Sequence, residues 1–443
     1  MGTGTRFDVM VVGAGPAGSV AATVLARGGA RVALVDRSRF PRDKACGDLV
    51  GPRGLQVLHD LGLAPPPGLA VGDMVVVAPN GRRLRLPAVA GATYPGRALA
   101  VPRLAFDAAL REAAQAAGAE ILTGRARQAC WADGRLDGFR CADREMRADS
   151  EVRADVVIGA DGAASTVAEA AGLVEWRRVL WGFAVRWYVQ QPVDLPVIAW
   201  WEPTPWRPLP GYGWLFPGPD GRANVGVGVG MQADRRGAAA AVRAADGFVA
   251  HLRRVGLLAP TANGRGQLTG RLGGWLKMGM VGTVPARGNV LLVGDAAGLV
   301  NPLQGEGIAQ ALASGVAAAE AVLAGPGRAA ARYGGERVAR HRRFLTLGAA
   351  AQRQLLSHPQ VIAGVTRALT APGVGRGVAG AWALLWNDLV EGAPPGAARA
   401  VARAALAVGT LAAAPGATRR WFDDLQRTAA LGYRCPSSSV AGR

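Results

Sequence analysis

Mainly apolar runs at residues 9–12, 154–158 and 289–293, broken only by Asp155 and Asn289, each end in a glycine-containing loop that leads into an alanine-rich stretch. Runs of this length bounded by glycine read as strands buried on both faces, the pattern of a parallel sheet. Residues 31–35 make a fourth such strand. Elsewhere the period changes. In VPRLAFDAALREAAQAAGAEI, Pro102 starts a helix and Gly118 ends it, and Pro52 starts a shorter helix whose Leu55, Val57 and Leu58 are expected in the core. Residues 73–86 alternate on either side of Pro79-Asn80-Gly81, a hairpin signal, and residues 121–147 read as a meander of short strands. Residues 178–230 concentrate Trp181, Trp187, Tyr188, Trp200, Trp201, Trp206, Tyr212, Trp214 and Phe216 before the alternating run NVGVGVG. This reads as an antiparallel sheet forming a lobe of its own, with one face able to line an apolar cavity; ordinary sandwich core accounts equally well for any one of these tryptophans. From about residue 326 the chain turns helical and arginine-rich. Residues 397–414 are very apolar but carry Arg399 and Arg403, an amphipathic helix suited to core packing or to an interface.

Composition narrows the class. The chain of 443 residues, 50% hydrophobic, can build two or three domains around real cores and is no disordered segment. Its net charge of +19 would suit nucleic acid, yet the lysines are Lys44 and Lys277 alone, and the abundance of arginine, alanine and glycine reads as codon bias of a GC-rich genome. No nucleic-acid role is expected; peripheral contact of a basic surface with anionic lipid stays open. No run of eighteen apolar residues suggests a membrane span. Cys46, Cys130, Cys141 and Cys435 form no C-x-x-C pair and have no histidines at metal spacing, so no metal site and a reduced, cytoplasmic protein are expected. The first strand begins within the first ten residues, where a secretory signal would need a basic segment and an apolar core.

The loops carry the candidate chemistry. After the first strand, Gly13, Gly15 and Gly18 fill a G-x-G-x-x-G pattern with Pro16 and Ala17 opening the helix. Gly13 permits the tight turn, Gly15 lets a pyrophosphate approach the backbone, and Gly18 lets the helix lie on the strand. The second strand ends in Asp36 and Arg37, the acid placed to accept from a ribose 2′-OH. The ligand half so defined is adenosine diphosphate, common to NAD and FAD. After the next two strands come Asp161-Gly162, with Ser165 at a helix-opening position, and Gly294-Asp295, followed by Pro302 and by the glycine turn of Gly305, Glu306, Gly307 and Ile308 ahead of another helix.

Three such loops, GAGPAG with Asp36, GADG and GDAAG, resemble the three flavin motifs of the FAD-dependent hydroxylase-like superfamily. Within it KACGD, VPRLAFD, GYGWLFP and LVGDAAGLVNPLQGEGIAQALASG resemble the geranylgeranyl reductase family, over roughly the first 350 residues. The resemblance implies an α/β fold: a Rossmann-like FAD-binding domain (parallel sheet with helices and a β-meander), an antiparallel-sheet substrate domain and a helical C-terminal region. Residues 1–72, 98–177 and 277–350 would form the first, discontinuous domain; 73–97 and 178–276 the substrate sheet; 351–443 the helical region. It also implies roles. Gly13, Gly15, Pro16, Ala17, Gly18, Asp36 and Arg37 would hold the ADP end of FAD. Arg103 would bond the phosphate and ribose region, and Lys44, Asp161, Gly162, Gly294 and Asp295 would complete the cofactor site. Gly305, Gly307 and Ile308 would present backbone N–H groups to the isoalloxazine, with Glu306 in the same cofactor-binding turn. Cys46, Gly47 and Pro302 would lie at the ring, with Cys46 as proton donor, its alternative being a plain buried thiol. Trp187, Trp201, Trp214 and Phe216 would contact substrate.

The chain departs from the family at Ala168, where an arginine is usual, at Gln310, where an aromatic is common, and after Cys46, where GDLVGPRG lacks a further glycine and threonine. Electrons would come from NAD(P)H or, given Ala168, from a separate reductase or ferredoxin as redox partner. The expected activity is reduction of C=C bonds in a bulky apolar, isoprenoid-like substrate. A monooxygenase that hydroxylates or epoxidises a hydrophobic natural product, such as a terpenoid or aromatic terpenoid, is the alternative, and a basic surface-binding protein that merely keeps a flavin fold the third reading.

Overall fold

The computed structural model describes residues 5–338 apart from 78–82, 87, 89, 92–94, 143–149, 194–197, 201–210, 233–237, 261–266 and 303, and beyond them residues 344, 345, 348, 360, 364, 367, 380, 381, 383–385 and 389–412. The four apolar runs become the centre of one sheet. With elements numbered along the chain, β1 (Thr5–Val12) lies parallel to β2 (Val32–Asp36) on one side and to β11 (Ser150–Gly159) on the other. β11 pairs parallel with β18 (Val290–Leu292), and β17 (Ala286–Arg287) and β8 (Glu120–Thr123) close the two edges. Residues 9–12, 156–158 and 290–292 are all buried, which is why they read as unbroken apolar runs and not as alternation.

Helix α1 (Pro16–Arg27) and α6 (Ile308–Leu323) pack on each other, and α3 (Arg103–Ala116) lies beside α1. Their alanine and glycine content has a steric reason: Gly315 of α6 lies so close to the Ala17 carbonyl of α1 that a Cβ would overlap it. The middle of α6 therefore lies directly on the start of α1.

The expected meander over residues 121–147 is only partly present. β8 joins the parallel sheet next to β2, pairing Leu34 with Ile121, because Ile121 and Leu122 supply apolar side chains to the same core. The antiparallel part is β9 (Arg125–Ala132) with β10 (Arg135–Ala142), hung on β11.

A second sheet of seven strands runs β16 (Leu268–Met278), β12 (Leu180–Gln190), β15 (Arg222–Gln232), β14 (Gly211–Pro217), β13 (Ile198–Trp200), β5 (Met74–Val77) and β6 (Arg83–Leu86). The two strands read at residues 73–86 pair antiparallel, with Met74 opposite Leu86, while the turn expected at Pro79-Asn80-Gly81 lies outside the described residues. All pairings are antiparallel except β13 with β5, so the sheet is mixed. Helix α5 (Ala238–Arg254) covers one face, burying Val225, Val227 and Val229 together with Phe248. The opposite face looks toward the loops of the first sheet. Three short strands, β3 (Leu49–Val50), β7 (Ala98–Ala100) and β4 (Leu69–Val71), form a small antiparallel sheet beside them. Helix α2 (Pro52–Asp60) buries Leu58 and half-buries Leu55 and Val57. The short α4 (Thr166–Ala170) and α7 (Ala329–Arg332) pack against strands of the first sheet.

The apolar segment near the C-terminus forms α8 (Ala397–Ala412), lying on the surface: Ala402 is buried against Leu384 and Leu389, while Val401 is exposed. Among the described residues no helix is long and apolar enough to cross a membrane.

Candidate active site

The loops that end β1, β11 and β18 converge with the N-termini of α1 and α6. The chain leaves β1 through Gly13, whose φ is 105° and whose N–H donates to the Val35 carbonyl at 2.7 Å. A Cβ at Gly13 would overlap the Ala160 carbonyl, and one at Gly18 would overlap the Gly13 carbonyl, so both glycines are required by the fold itself. Gly15 differs. The nearest atom to a Cβ placed there is Arg42 Nη2 at 3.6 Å, and α1 has neither a side-chain cap nor an acid in its first turn. Open backbone, a positive helix end and a guanidinium opposite make a cradle that fits a pyrophosphate. Asp36 ends β2 beside it, its oxygens accepting from Ala14 N–H (2.7 Å) and Ser38 N–H (2.8 Å), with Arg37 exposed just beyond.

Asp161 has a task within the fold itself. Its carboxylate accepts from Ser165 Oγ, from Thr166 N–H at 2.6 Å and from Val167 N–H at 3.2 Å, so it caps α4 beside half-buried Gly162. Burial pushes this carboxyl up. Gly294 is anchored by donating its N–H to Ser314 Oγ at 3.0 Å, and Asp295 pairs with Lys44 at 3.2 Å. Pro302 is buried in the turn that follows, which is built on itself: Asn301 N–H donates to the Glu306 carbonyl and Gly305 N–H to the Asn301 carbonyl, both at 2.8 Å. Glu306 in turn accepts from Ala309 N–H at 2.7 Å. The Gly305 N–H is thus used inside the turn, and the expected presentation of N–H groups to a ring narrows to Gly307 and Ile308.

Between these loops and the seven-stranded sheet lies a cavity of about 260 Å³. One end is polar, with Pro16, Lys44, Asp295, Arg103 and residues 305–308; the other is apolar, with Met74, Leu86, Leu276 and Met278; Cys46 and Gly47 lie on its wall. Tyr212, Trp214 and Phe216 form an aromatic flank, the Trp214 ring centre 6.2 Å from Tyr212 and 6.1 Å from Phe216. The run NVGVGVG acquires its meaning here. Its valines face α5, while Gly226 leaves room for the indole of Trp214, which a Cβ would strike.

Trp187 is not a cavity residue. Ala184 of β12 lines the cavity, so by the two-residue period Phe183, Val185 and Trp187 face the other way, and they pack under α5, with Arg271 5.5 Å from the Trp187 ring. Trp201 lies outside the described residues.

Behind the Cys46 loop sits a polar network whose role has no local signal in the sequence. Arg103 makes two bonds of 2.7 Å to Asp107 and also donates to Cys46 Sγ. Fully buried Asp107 accepts in addition from Arg42 at 3.0 Å. One carboxylate therefore holds both the guanidinium beside the glycine loop, Arg42, and the one beside the thiol, Arg103. Burial pushes the Cys46 thiol up, against the pull of Arg103. Asp48, 5% exposed, accepts from Arg103 N–H (3.2 Å), Asn224 Nδ2 (2.9 Å) and the Tyr188 hydroxyl. Asn224 also donates to the Cys46 carbonyl at 2.8 Å and accepts from Trp214 Nε1 at 2.8 Å. Arg186, wholly buried, stacks over Tyr188 at 4.2 Å and pairs with Asp43.

Lys277 is a second feature that sequence reasoning missed. Its side chain is wholly buried, its amine lies 5.5 Å from the Trp176 ring centre and has no hydrogen-bond partner among the described residues. Burial lowers its pKa to about 8, opposed by Asp161 and Asp295. The available clues were slight: Asp48 stands inside KACGD, Asn224 is the polar residue that opens the alternating run, and Lys277 is one of two lysines in a chain with 51 basic residues.

Residues 6–183 match the model of the FAD binding domain family. The chain is 36% identical to a menaquinone reductase of Mycolicibacterium smegmatis over 72% of its own length and 77% of that protein. It is 33% identical to a digeranylgeranylglycerophospholipid reductase 2 of Methanopyrus kandleri over 71% of its length and 76% of that protein. A crystal structure of a geranylgeranyl bacteriochlorophyll reductase-like protein from Thermoplasma acidophilum superposes with a TM-score of 0.69 at 21% identity, covering 95% of this chain and 99% of that one, a likeness of fold.

Proposed function

Because the chain belongs to the geranylgeranyl reductase family of FAD-dependent oxidoreductases, we propose that it reduces C=C bonds of a bulky apolar, isoprenoid-like substrate. The observation that carries this is the position of Cys46, on the wall of a cavity with dinucleotide loops at one end and aromatic and aliphatic side chains at the other. The names of the relatives, reductases of menaquinone and of digeranylgeranylglycerophospholipid, supply the substrate class.

Reduced FAD, when bound, supplies a hydride. Gly15, Arg42 and the N-terminus of α1 would hold its pyrophosphate, Asp36 its ribose, and Gly307 and Ile308 its ring edge. An alkene that gains a hydride also needs a proton. Cys46 can give one because Arg103 and the Asp48 N–H both donate to its sulfur, stabilising the thiolate that remains. Tyr212, Trp214 and Phe216 orient an apolar chain and exclude water. With Ala168 in place of an arginine, a separate reductase or ferredoxin suits the chain better than NAD(P)H as electron donor. A charge of +19 suits it to meet its substrate at an anionic membrane face.

The test is anaerobic. Photoreduced holoprotein mixed with a polyprenyl alkene should reoxidise and yield product heavier by two hydrogens. Reoxidation by oxygen alone, with product heavier by one oxygen atom, would replace this reading with a monooxygenase. Cys46→Ser should slow alkene reduction by about 10²-fold while FAD content stays at the wild-type level.

A further inference from the structure

Cys46, Gly47 and Leu49 line the main cavity, but Asp48 between them turns away from it. Its backbone makes the turn at a φ of 59°, and its side chain borders a smaller outer pocket with Tyr188, Asn224, Pro217, Gly218 and Arg222. That pocket, about 10 Å³, has room for roughly one water molecule, and Arg222 beside it is 43% exposed. Asp48 is therefore a buried carboxyl between a wet exterior and the loop that carries the thiol.

The groups facing it come from every adjacent element: Arg103 from α3, Tyr188 and Arg186 from β12, Asn224 and Arg222 from β15, and Cys46 from its own loop. Two of them tie carboxyl and thiol together. The Asp48 N–H donates to Cys46 Sγ, and Asn224 Nδ2 donates both to Asp48 Oδ2 and to the Cys46 carbonyl. Inner thiol and outer carboxyl stand two residues apart on one loop, whose backbone these bonds hold.

We propose that Asp48 is the outer station of a proton path to Cys46, taking protons from water in the outer pocket and restoring the thiol after each turnover. The inference rests on the reductase reading. In the step, the Cys46 S–H bond breaks as the substrate C–H bond forms, leaving a thiolate. The Asp48 carboxylic O–H then breaks as S–H re-forms, and the carboxylate regains its proton from the outer water, which draws one from solvent. Asp48 acts through Cys46 and touches no reacting carbon. Two negative groups this close disfavour simultaneous charge, so once Asp48 has given its proton to the thiolate it is left as the single charge of the pair, to be neutralised from the outer water. Burial of the carboxyl works in the same direction.

Asn and Gly both tolerate the left-handed backbone at this position, so Asp48→Asn and Asp48→Gly keep the turn. Each should slow alkene reduction by photoreduced holoprotein at least ~10-fold, with KM and FAD content unchanged, and should alter the pH profile of the rate. Asp48→Gly also opens a hole continuous with the outer pocket, so formate should restore its rate and pH profile, and should do nothing for Asp48→Asn. Wild-type rates and pH profiles in both variants, or a slow Asp48→Gly that formate leaves slow, would overturn the proposal. A second measurement needs no turnover. In oxidised holoprotein carrying Cys130→Ser, Cys141→Ser and Cys435→Ser, the pH midpoint of Cys46 alkylation by iodoacetamide should fall by about one pH unit on adding Asp48→Asn, since a neighbouring negative charge is removed. An unmoved midpoint would also overturn it. If the wild type reduces no polyprenyl alkene, the function reading fails on its own while the alkylation still decides whether Asp48 governs the thiol.

Discussion

At Gly15 and Gly18 the same chemical change has opposite consequences. A side chain at Gly15 meets nothing closer than Arg42 Nη2 at 3.6 Å and sits at an ordinary φ of −75°, so the folded chain accommodates it while the phosphate cradle is filled. Gly15→Val should therefore yield folded apoprotein, with FAD content at least ~10-fold below wild type and an unchanged melting temperature of the apo form. Gly18→Ala would press on the Gly13 carbonyl and should cost about 1–3 kcal/mol of stability, read by urea denaturation. Both glycines are legible in the sequence because their constraints are local. Asp48 is not, since its partners Tyr188 and Asn224 lie 140 and 176 residues away and only the fold brings them together. Trp214 shows the intermediate case. Its indole N–H holds Asn224, which in turn holds the Cys46 carbonyl, so Trp214→Phe leaves a buried acceptor unpaired and should cost about 1–3 kcal/mol and slow turnover with flavin retained.

Whether an element is legible depends on how many of its faces are buried. The central strands of the parallel sheet are covered on both faces and announce themselves as apolar runs; the edge strand β8, with Ile121 and Leu122 only half-buried, looks like part of a meander until its pairing with β2 is seen. β12 fails in the opposite way. Nearly all of its residues are buried, so the alternation that would separate cavity side from helix side is erased, and Trp187 could not be assigned to the α5 side before the sheet was known. Helix α3 also reaches the guanidinium opposite Gly15 through one side chain, Asp107, which closes VPRLAFD but gives no local sign that Arg42 is its partner. Asp107→Ala would strand the buried guanidinium of Arg103 and free Arg42 at once. The expected loss is about 3–5 kcal/mol in the urea denaturation of the holoprotein, with weaker FAD retention.

The two sheets meet where the end of β16 runs against the loop after Asp295, with Met278 bridged to Val300, and there the molecule buries the amine of Lys277. That burial links global stability to pH. The amine titrates at about 8 in the folded protein and at about 10.4 in an unfolded chain, so between these values the unfolded state binds more protons. Stability must then rise with pH across that window: below about 8 the folded protein carries a buried charge at full cost, and above about 10.4 neither state is charged. The total gain is on the order of 3 kcal/mol. Lys277→Met keeps the volume and removes the charge, so it should raise stability at pH 7 and abolish the rise from this site. Urea denaturation of wild type and variant at a series of pH values from 7 to 10.5 decides the matter. A wild-type curve that is flat through the window, or a variant less stable than wild type at pH 7, would mean that the amine is paired with an anionic group when the protein is folded. Comparing FAD-loaded with FAD-depleted protein would then show whether the cofactor supplies that group.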